Sequence, residues 1–230
     1  FVQPGSSSAV LNRVHGGVVS RIDGSLKANG KVFLLNPNGI VIGPTGTIDV
    51  GGFFGSTLDV SDSEFLAGGD LQFHGASQAA VINLGSISAT DGDVFLMAAT
   101  VVNSGYIRAA RGAVGLAAGN DVLLKESGDE RVFVRGASGG EKENGVINRG
   151  TVEANIAELK SYGGNIYGMA VQNEGRVAAT GITRNGGQIF LSAGNGSKIR
   201  NTGQLRAKVV EPQAVARIKV DSGAEGRAEV

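Results

Sequence analysis

The sequence contains no cysteine and no tryptophan, and only 4 of its 230 residues are proline. Without cysteine the chain forms no disulfide, no thiolate metal site and no thiol-based catalytic centre. No apolar run approaches the roughly 20 residues that a membrane-spanning helix requires. Aromatic residues make up 5% of the chain. We therefore expect a core of small and β-branched side chains, which suits narrow, stacked layers.

The chain also lacks an excess of charge of either sign. Lys and Arg number 21, and Asp and Glu number 21. Nucleic-acid-binding proteins usually carry a basic patch, and no dense Lys/Arg stripe is visible, so we expect no nucleic-acid partner. The only histidines, His15 and His74, are far apart and have no metal-ligating residue at suitable spacing. We therefore expect no metal site and no Ser-His-Asp triad, and we interpret both histidines as surface or loop residues.

Glycine, by contrast, is abundant, at 38 residues, and much of it belongs to a repeat. The repeated phrase is Asn-x-Gly-x followed by a β-branched residue or leucine, and successive copies start 20, 45, 25 and 28 residues apart. Periods in the twenties are typical of solenoids. Because Asn and Gly tolerate positive φ, we interpret each phrase as a corner where the chain turns. The copies are Asn83–Ile87, Asn103–Ile107, Asn148–Val152, Asn173–Val177 and Asn201–Leu205, with degenerate copies at Asp23–Leu26 and Thr45–Ile48.

A second phrase, Gly-x-(Val/Ile)-x-x-x-Ala, follows each of the first four asparagine copies. Each repeat unit therefore contains two short strands, and we expect a third where the chain returns. One coil cannot bury its apolar row alone, whereas stacked coils bury it and add a hydrogen-bonded layer about every 4.8 Å. About eight coils are expected at a repeat of about 22 residues. The copies of the second phrase are Gly92–Ala98, Gly112–Ala118, Gly164–Ala170 and Gly187–Ala193.

These patterns predict an all-β fold, a single-stranded parallel β-helix. A β-sandwich would also have short strands, but the fixed order of the two phrases favours the solenoid. A right-handed coil is expected, because crossovers between parallel strands are right-handed as a rule. The core is predicted from the matched positions of the two phrases. It comprises Val32, Leu34, Ile48, Ile87, Val94, Leu96, Ile107, Val114, Leu116, Val152, Ile166, Val177, Ile189 and Leu191.

Residues 120–145 interrupt the repeat and predict an extra-helical β-hairpin followed by a polar loop. A weaker excursion is expected at Ser61–Ala80. We expect residues 1–230 to form one domain, in which Ala214–Val220 forms a further strand and residues 209–230 continue towards a longer protein.

The stretch Ala9–Gly55 carries several short motifs in a fixed order. Together they resemble the secretion domain of two-partner-secreted exoproteins, the family of filamentous haemagglutinin. One tetrapeptide of this set, Asn-Pro-Asn-Gly, is weak on its own, whereas the full series within about fifty residues is specific. The matching residues are Asn12-Arg13-Val14, Gly16, Asp23-Gly24, Ala28-Asn29-Gly30, Val32–Leu35, Asn36-Pro37-Asn38-Gly39-Ile40, Gly43 and Ile48-Asp49-Val50.

The resemblance implies a right-handed parallel β-helix with extra-helical β-hairpins. It implies a non-catalytic N-terminal secretion-recognition domain of a large bacterial exoprotein or adhesin, without a cofactor. The implied partner is an outer-membrane β-barrel transporter with periplasmic domains (TpsB-like), and host-cell or surface glycans would be bound through the rest of the exoprotein. The implied location is the exterior or cell surface of a Gram-negative-type bacterium, reached through the periplasm. We expect a signal peptide and the capping strands to lie upstream of Phe1.

The resemblance also implies the site. Two roles are open for its Asn-Pro-Asn-Gly turn: it contacts the transporter, or it fixes the fold that the transporter recognises. Many family members carry an upstream Asn-Pro-Asn-Leu motif, which is absent from this sequence. The implied recognition or folding residues are Asn12, Arg13, Asn36, Pro37, Asn38, Gly39 and Ile40.

Two other functions are compatible with a β-helix: a carbohydrate-active enzyme and a passive adhesin stalk. A glycosidase or lyase needs paired carboxylates, with or without Ca²⁺. The local candidates do not recur in neighbouring repeat units, and we interpret them as solvated loop charges rather than catalytic groups. They are Asp91 with Asp93, and Asp59 with Asp62 and Glu64.

Overall fold

The computed structural model describes residues 2–135, 145–162, 169–181, 186–194, 197–209, 215–221 and 227–229. Strands dominate, and the one helix of the described residues is short. In chain order the elements are β1 (Ala9–Arg13), β2 (Ser20–Ile22), β3 (Ser25–Lys27), β4 (Lys31–Leu35), β5 (Ile40–Ile42), β6 (Thr47–Val50), β7 (Gly52–Ser56), α1 (Asp62–Ala67), β8 (Leu71–His74), β9 (Ala80–Asn83), β10 (Ser86–Ala89), β11 (Val94–Ala98), β12 (Thr100–Asn103), β13 (Tyr106–Ala118), β14 (Asp121–Leu124), β15 (Val132–Arg135), β16 (Val146–Asn148), β17 (Thr151–Ser161), β18 (Met169–Asn173), β19 (Arg176–Gly181), β20 (Gln188–Ala193), β21 (Lys198–Asn201), β22 (Gln204–Val209), β23 (Arg217–Asp221) and β24 (Arg227–Glu229).

The chain coils through three parallel faces in a constant order. The first face stacks β1, β4, β7, β11, the second half of β13, the second half of β17, β20 and β23. The second face stacks β2, β5, β9, β12, β16, β18, β21 and β24. The third face stacks β3, β6, β10, the first halves of β13 and β17, β19 and β22. This is the predicted single-stranded parallel β-helix, including the third strand of each unit.

The interior of the coil is a continuous apolar core. Each face contributes at least one row of side chains that stack in register. On the third face Ile48, Ile87, Ile107, Val152 and Val177 stack directly on one another and are buried. The predicted core is confirmed wherever the structure describes it, except that Leu34 is only half-buried against the cluster. Ile166 lies outside the described residues. The second face adds a row that the two phrases did not predict, consisting of Ile40, Val81, Val101, Val146, Val171 and Ile199.

The predicted copy of the second phrase at Gly164–Ala170 is wrong. The first-face strand of that coil is the second half of β17, where Ala157 pairs with Val114 on one side and Ile189 on the other. Residues 163–168 lie outside the described part of the chain, and Ala170 belongs to the second-face strand β18. The error has a simple cause: Asn155 stands at this corner in place of the glycine that marks the phrase elsewhere.

The two excursions meet in one small antiparallel sheet. The hairpin is confirmed, because β14 pairs antiparallel with β15, and β14 also pairs antiparallel with β8 from the Ser61–Ala80 excursion. The polar loop at 136–144 lies outside the described residues. Helix α1 was not predicted, although its capping box is visible in the sequence: Ser61 and Glu64 exchange hydrogen bonds between side chain and backbone.

The three-stranded sheet covers the outward side of the first face. A second apolar cluster fills this space, with Phe33 stacked on Phe54 at 4.0 Å between ring centroids. Phe95 and Met97 continue it, and Phe73 packs from the excursion. The central first-face strands are therefore buried on both sides, which explains their nearly continuous apolar sequences, such as Val94–Ala98.

The C-terminal coils keep the pattern of the earlier ones. Strand β23 confirms the strand expected at Ala214–Val220 and pairs with β20 in register. Strand β24 pairs with β21 on the second face. Among the described residues, no helix combines the length and apolar character needed to cross a membrane.

Candidate functional site

The coil has two edges of different character beside its second face. We call the passage from the second to the third face the uniform edge, because it carries the repeated Asn-x-Gly phrase. We call the passage from the first to the second face the variable edge. In the first three coils the variable edge consists of residues 14–19, 36–39 and 57–79, and in the fifth it contains the β14–β15 hairpin. The Asn-Pro-Asn-Gly turn therefore lies on the same edge as both excursions.

Asn36 is fully buried at the variable edge, and all its polar groups face the protein. Its backbone N–H donates to the Ser56 carbonyl oxygen of the next coil at 2.9 Å. Its side-chain amide donates to the Val18 carbonyl oxygen at 2.9 Å and to Ser20 Oγ at 2.8 Å. Asn36 therefore ties together the variable edge of three successive coils.

Asn38 and Gly39 complete the turn. Asn36 Oδ1 accepts a hydrogen bond from the Asn38 backbone N–H at 2.9 Å, and the Asn38 side-chain amide donates to the Gly16 carbonyl oxygen at 2.5 Å. Gly39 has φ 110, a conformation that favours glycine, and its carbonyl oxygen accepts from the Ser20 N–H at 3.0 Å. The turn thereby holds the preceding 16–20 segment against β5.

Pro37 is the exposed member of the turn. Its carbonyl oxygen accepts a hydrogen bond from the Ser77 hydroxyl at 2.6 Å, which attaches the end of the first excursion. Ile40, in contrast, is fully buried and begins the second-face core row. A protein partner approaching this turn would thus meet Pro37, and not Asn36.

Asn12 and Arg13 connect the first coil to its neighbours. The Asn12 side-chain amide donates to the Phe33 carbonyl oxygen at 3.1 Å. The Arg13 guanidinium pairs with Asp59 at 2.7 Å and Asp62 at 2.5 Å. The hydrogen bonds from Asp59 and Asp62 raise the pKa of Arg13 above its ordinary value, against the smaller effect of burial. Arg13 therefore clamps β1 to the first excursion.

The candidate carboxylates all have partners. Asp59 and Asp62 pair with Arg13, and the side chains of both remain exposed. Glu64 caps α1 through Ser61. The remaining pair, Asp91 and Asp93, divides into one exposed and one half-buried group.

Asp91 and Asp93 differ in environment. Asp91 forms an exposed pair with Arg111 at 2.8 Å. Asp93 pairs with Arg131 of the hairpin at 2.6 Å, with side chains only 16% and 14% exposed, and it also accepts the Ala113 N–H at 2.8 Å. The interpretation of Asp93 as a solvated loop charge is therefore wrong. Its position follows from the packing of β15 over the first face, which local sequence does not reveal.

A second buried ion cluster attaches the hairpin further along the coil. Glu158 is fully buried and accepts the backbone N–H groups of Arg131 at 2.8 Å and Val132 at 3.1 Å. Lys160 Nζ pairs with Glu158 at 2.8 Å and Glu130 at 2.9 Å, and donates to the Val132 carbonyl oxygen at 2.8 Å. Burial of the Glu130 carboxyl opposes ionisation, but the hydrogen bond and charge of Lys160 outweigh it and hold the pKa of Glu130 below its ordinary value.

The two histidines, which the sequence separates, line one cavity of about 240 Å³ at the variable edge. Arg13, Pro37 and Thr57 line it as well. Within the described ranges no three His, Cys, Asp or Glu side chains are grouped so as to hold a metal ion. Both histidines are exposed, as expected for surface residues, and His74 ends strand β8 rather than lying in a loop. Their proximity depends on the fold and has no local sequence signal.

The uniform edge contains a ladder of asparagine side chains, which we call the asparagine ladder. Asn83, Asn103, Asn148, Asn173 and Asn201 stack in register on the second face, and the first four are fully buried. Each side-chain amide donates to the Oδ1 of the next asparagine, at 2.8, 2.8, 2.7 and 2.6 Å. Every buried member therefore bonds to its neighbours along the coil axis.

The glycines of the same phrase are needed for close packing and not for positive φ. None of the five has φ in the left-handed region. A Cβ on Gly105 would overlap the Gly85 carbonyl oxygen, and a Cβ on Gly150 would overlap that of Gly105. The interpretation of these glycines as left-handed corners is therefore wrong. Glycine is needed at these positions because the stacked edges approach too closely for any side chain.

The comparisons with known proteins identify the family. The model of the TPS secretion domain, where TPS stands for two-partner secretion, matches residues 1–207. The chain belongs to the TPS secretion domain family. The crystal structure of the HMW1 secretion domain from Haemophilus influenzae superposes on 99% of the chain and 64% of that structure, with a TM-score of 0.76 and 28% identity.

Two curated relatives are heme/hemopexin-binding proteins from Haemophilus influenzae. The first, from strain Rd, is 33% identical over 203 residues, which cover 84% of this chain and 22% of the relative. The second is 47% identical over 60 residues, or 26% of this chain and 6% of the relative. The chain thus spans about a fifth of the first relative.

Family membership confirms the predicted fold and the predicted secretion function. The chain is a TPS secretion domain of the kind found in exoproteins related to HMW1 and the heme/hemopexin-binding proteins. Domains of this family belong to secreted exoproteins, and their export depends on a partner transporter. The roles of the seven residues implied for the site remain a prediction.

Proposed function

We propose that the chain is one domain that acts as the N-terminal secretion-recognition domain of a larger exoprotein or adhesin. An outer-membrane β-barrel transporter with periplasmic domains would capture it in the periplasm and export it to the surface of a Gram-negative-type bacterium. We propose no catalytic role, and the partnered state of the five candidate carboxylates supports this view.

The observation that carries the proposal for the site is the complete burial of Asn36. In the folded coil its hydrogen bonds reach Val18 and Ser20 of the preceding coil, whereas capture of an extended chain relies on main-chain hydrogen bonds and on no particular side chain. We therefore assign Asn36 and Asn38 a folding role. Asn12, Arg13, Gly39 and Ile40 serve the same assembly of the first three coils, whereas Pro37 offers the exposed surface of the turn.

The proposed capture step uses an extended segment of the chain. Strand addition gives affinity through main-chain hydrogen bonds, and it needs no particular side chain at each position. Outside the cell, the first coils then fold, and the turn sets the register between Lys31–Leu35 and Ile40–Ile42 on adjacent faces. Later coils would then stack on the folded first coils, and this folding outside the cell would favour export of the chain over its return to the periplasm.

The test is export of a tagged chain, supplied with a signal peptide, from cells that carry the partner transporter. The double variant Asn36→Ala/Asn38→Ala should reduce export by at least tenfold, since it removes every side-chain bond of the turn to the 16–20 segment. Asp91→Ala, at an exposed pair on another edge, is the matched control and should be exported normally. Normal export of the double asparagine variant would contradict the proposed role.

A further variant separates folding from direct contact. Pro37→Ala alters the exposed surface of the turn while leaving the Asn36 and Asn38 bonds in place. If the turn acts through folding, Pro37→Ala should be exported within about twofold of the wild-type chain. Lost export of Pro37→Ala, together with an unchanged free energy of unfolding, would show instead that the transporter contacts the turn directly.

A further inference from the structure

A groove lies between the hairpin and the first face, away from the Asn-Pro-Asn-Gly turn. Its walls are β14 and β15 on one side and the ends of β17 and β20 on the other, and its volume is about 540 Å³. Sites for small organic ligands typically measure about 300–1,000 Å³. The groove lining includes Lys125, Phe133, Arg135, Lys160, Tyr162 and Ser192.

The rim of the groove carries two cations that have no carboxylate partner among the described residues. Lys125 and Arg135 are both exposed, and they flank the hairpin strands β14 and β15. Lys160, by contrast, lies beneath them and is fully engaged by Glu130, Glu158 and the Val132 carbonyl oxygen. The positive charge available to a ligand is therefore at Lys125 and Arg135.

Aromatic rings supply the apolar part of the groove. The Phe133 ring has Lys125 Nζ at 4.9 Å and Lys160 Nζ at 5.0 Å from its centroid. Tyr162 is 47% exposed, which is unusual for a large ring in this chain. Rings beside cations and a serine hydroxyl fit a ligand that has flat apolar faces, hydroxyl groups and negative charge. A sugar ring carrying carboxylate or sulfate has all three properties.

The coils next to the groove add to the positive field. In residues 198–209, 215–221 and 227–229 the cations are Lys198, Arg200, Arg206, Lys208, Arg217, Lys219 and Arg227, against two carboxylates, Asp221 and Glu229. Because a β-helix converts sequence position into axial position, these charges are concentrated at one end of the coil. The chain is neutral as a whole, yet this end attracts polyanions.

We propose that the groove between the hairpin and the first face binds an acidic oligosaccharide, with Lys125 and Arg135 pairing its carboxylate or sulfate groups and Tyr162 packing on a sugar ring. This inference rests on the proposed function only in placing the chain outside the cell, where surface polysaccharides occur. The groove binds and does not cleave, because Lys160 holds both Glu130 and Glu158 and no free carboxylate pair lines it among the described residues.

Calorimetry on the purified 230-residue chain tests the groove. The probes are a sulfated heparin oligosaccharide, a carboxylated oligogalacturonate of equal length and a neutral malto-oligosaccharide, at low and high salt. At least one acidic probe should saturate, and the neutral probe should not. The variant Lys125→Ala/Arg135→Ala should weaken binding at least tenfold. The matched control Arg21→Ala/Lys27→Ala removes the same charge at the opposite end of the coil and should stay within about twofold.

Two variants of Tyr162 test whether the acidic oligosaccharide binds at a defined site or only to a positively charged surface. Tyr162→Ala should weaken binding by about fivefold or more, and Tyr162→Phe should restore most of the affinity, since it keeps the ring. Equal loss in the control variant, or tighter binding of a DNA oligonucleotide of equal charge, would show nonspecific polyanion attraction and overturn the proposal. So would the absence of saturation by both acidic probes. Export of Lys125→Ala/Arg135→Ala should remain normal. A failure of the ligand-binding proposal can therefore be distinguished from a failure of the proposed secretion role.

Discussion

The uniform and variable edges flank the same second-face strands, yet they are held in different ways. At the uniform edge, the third to the seventh coils repeat the same solution, an asparagine bonded to its neighbours in the asparagine ladder and a glycine that allows close stacking. At the variable edge the solutions differ between coils: a hydrogen-bonded turn at Asn36, an excursion held by the Arg13 guanidinium, and a hairpin that the ion cluster of Lys160 attaches to the first face. The uniform edge therefore repeats one contact along the stack, and the variable edge carries the two excursions.

The two edges also differ in how many coils lose a contact when one side chain is removed. Asn103 donates to Asn148 and accepts from Asn83, so its loss affects three coils at once. The Asn36 side-chain amide bonds only to the preceding coil, at Val18 and Ser20, and its bond to the next coil is made by the backbone, which a substitution keeps.

The largest effect is expected from Asn103→Ala, in the middle of the asparagine ladder. The change removes the bond that Asn148 Oδ1 accepts at 2.8 Å, and it leaves the buried Asn83 amide with only a long bond of 3.4 Å to the Tyr106 carbonyl oxygen. Each of these losses costs about 1–3 kcal/mol. The free energy of unfolding should therefore fall by about 2–6 kcal/mol in urea titrations. Asn29→Ala, at the less buried corner beside β4, should change it by less than about 1 kcal/mol. An equal loss in the two variants would show that the ladder adds nothing beyond an ordinary asparagine contact.

Asn36→Ala should have an intermediate effect on stability. It removes the bonds to Val18 and Ser20 at the variable edge, and the estimated cost is about 1–3 kcal/mol by the same measurement. Measuring export of the same two variants separates the role of the variable edge from that of the uniform edge. At equal loss of stability, Asn36→Ala should impair export more than Asn103→Ala, because only Asn36 lies in the coils that we propose fold first. Export that simply tracks stability in both variants would remove the distinction between the edges.

How much could be read from the sequence also differs between the edges. The repeated phrases predicted the strands and the inner core correctly, since a stacked coil puts the same residue type at the same place in each layer. The physical role assigned to the Asn-x-Gly phrase was nevertheless wrong, because ladder bonds and carbonyl overlap arise only between coils. A corner with Asn155 in place of glycine was enough to misplace one coil.

Most of the variable edge could not be predicted, because its contacts join segments that are distant in sequence. Strands β8 and β14 come from separate excursions, and nothing local indicates that they pair. The half-buried pair of Asp93 with Arg131 follows from that packing. The capping box at Ser61 is the exception, a local signal that would have revealed α1.

The smallest effect concerns pH and distinguishes the ionic variable edge from the uncharged ladder. The pKa of Glu130 is lowered from 4.5 on folding, so its contribution to stability is present above pH 4.5 and is lost as the pH falls through the lower, folded-state pKa. Glu130→Gln should therefore destabilise the chain by at most about 1 kcal/mol at pH 7, because the group is partly exposed. The difference from the wild-type chain should shrink as the pH falls well below 4.5. Asn103→Ala should keep a constant difference over the same range, since no titratable group takes part in the ladder bonds. Urea titrations of both variants across this range provide the measurement, and a pH-independent Glu130→Gln difference would contradict the ionic role assigned to Lys160 and Glu130.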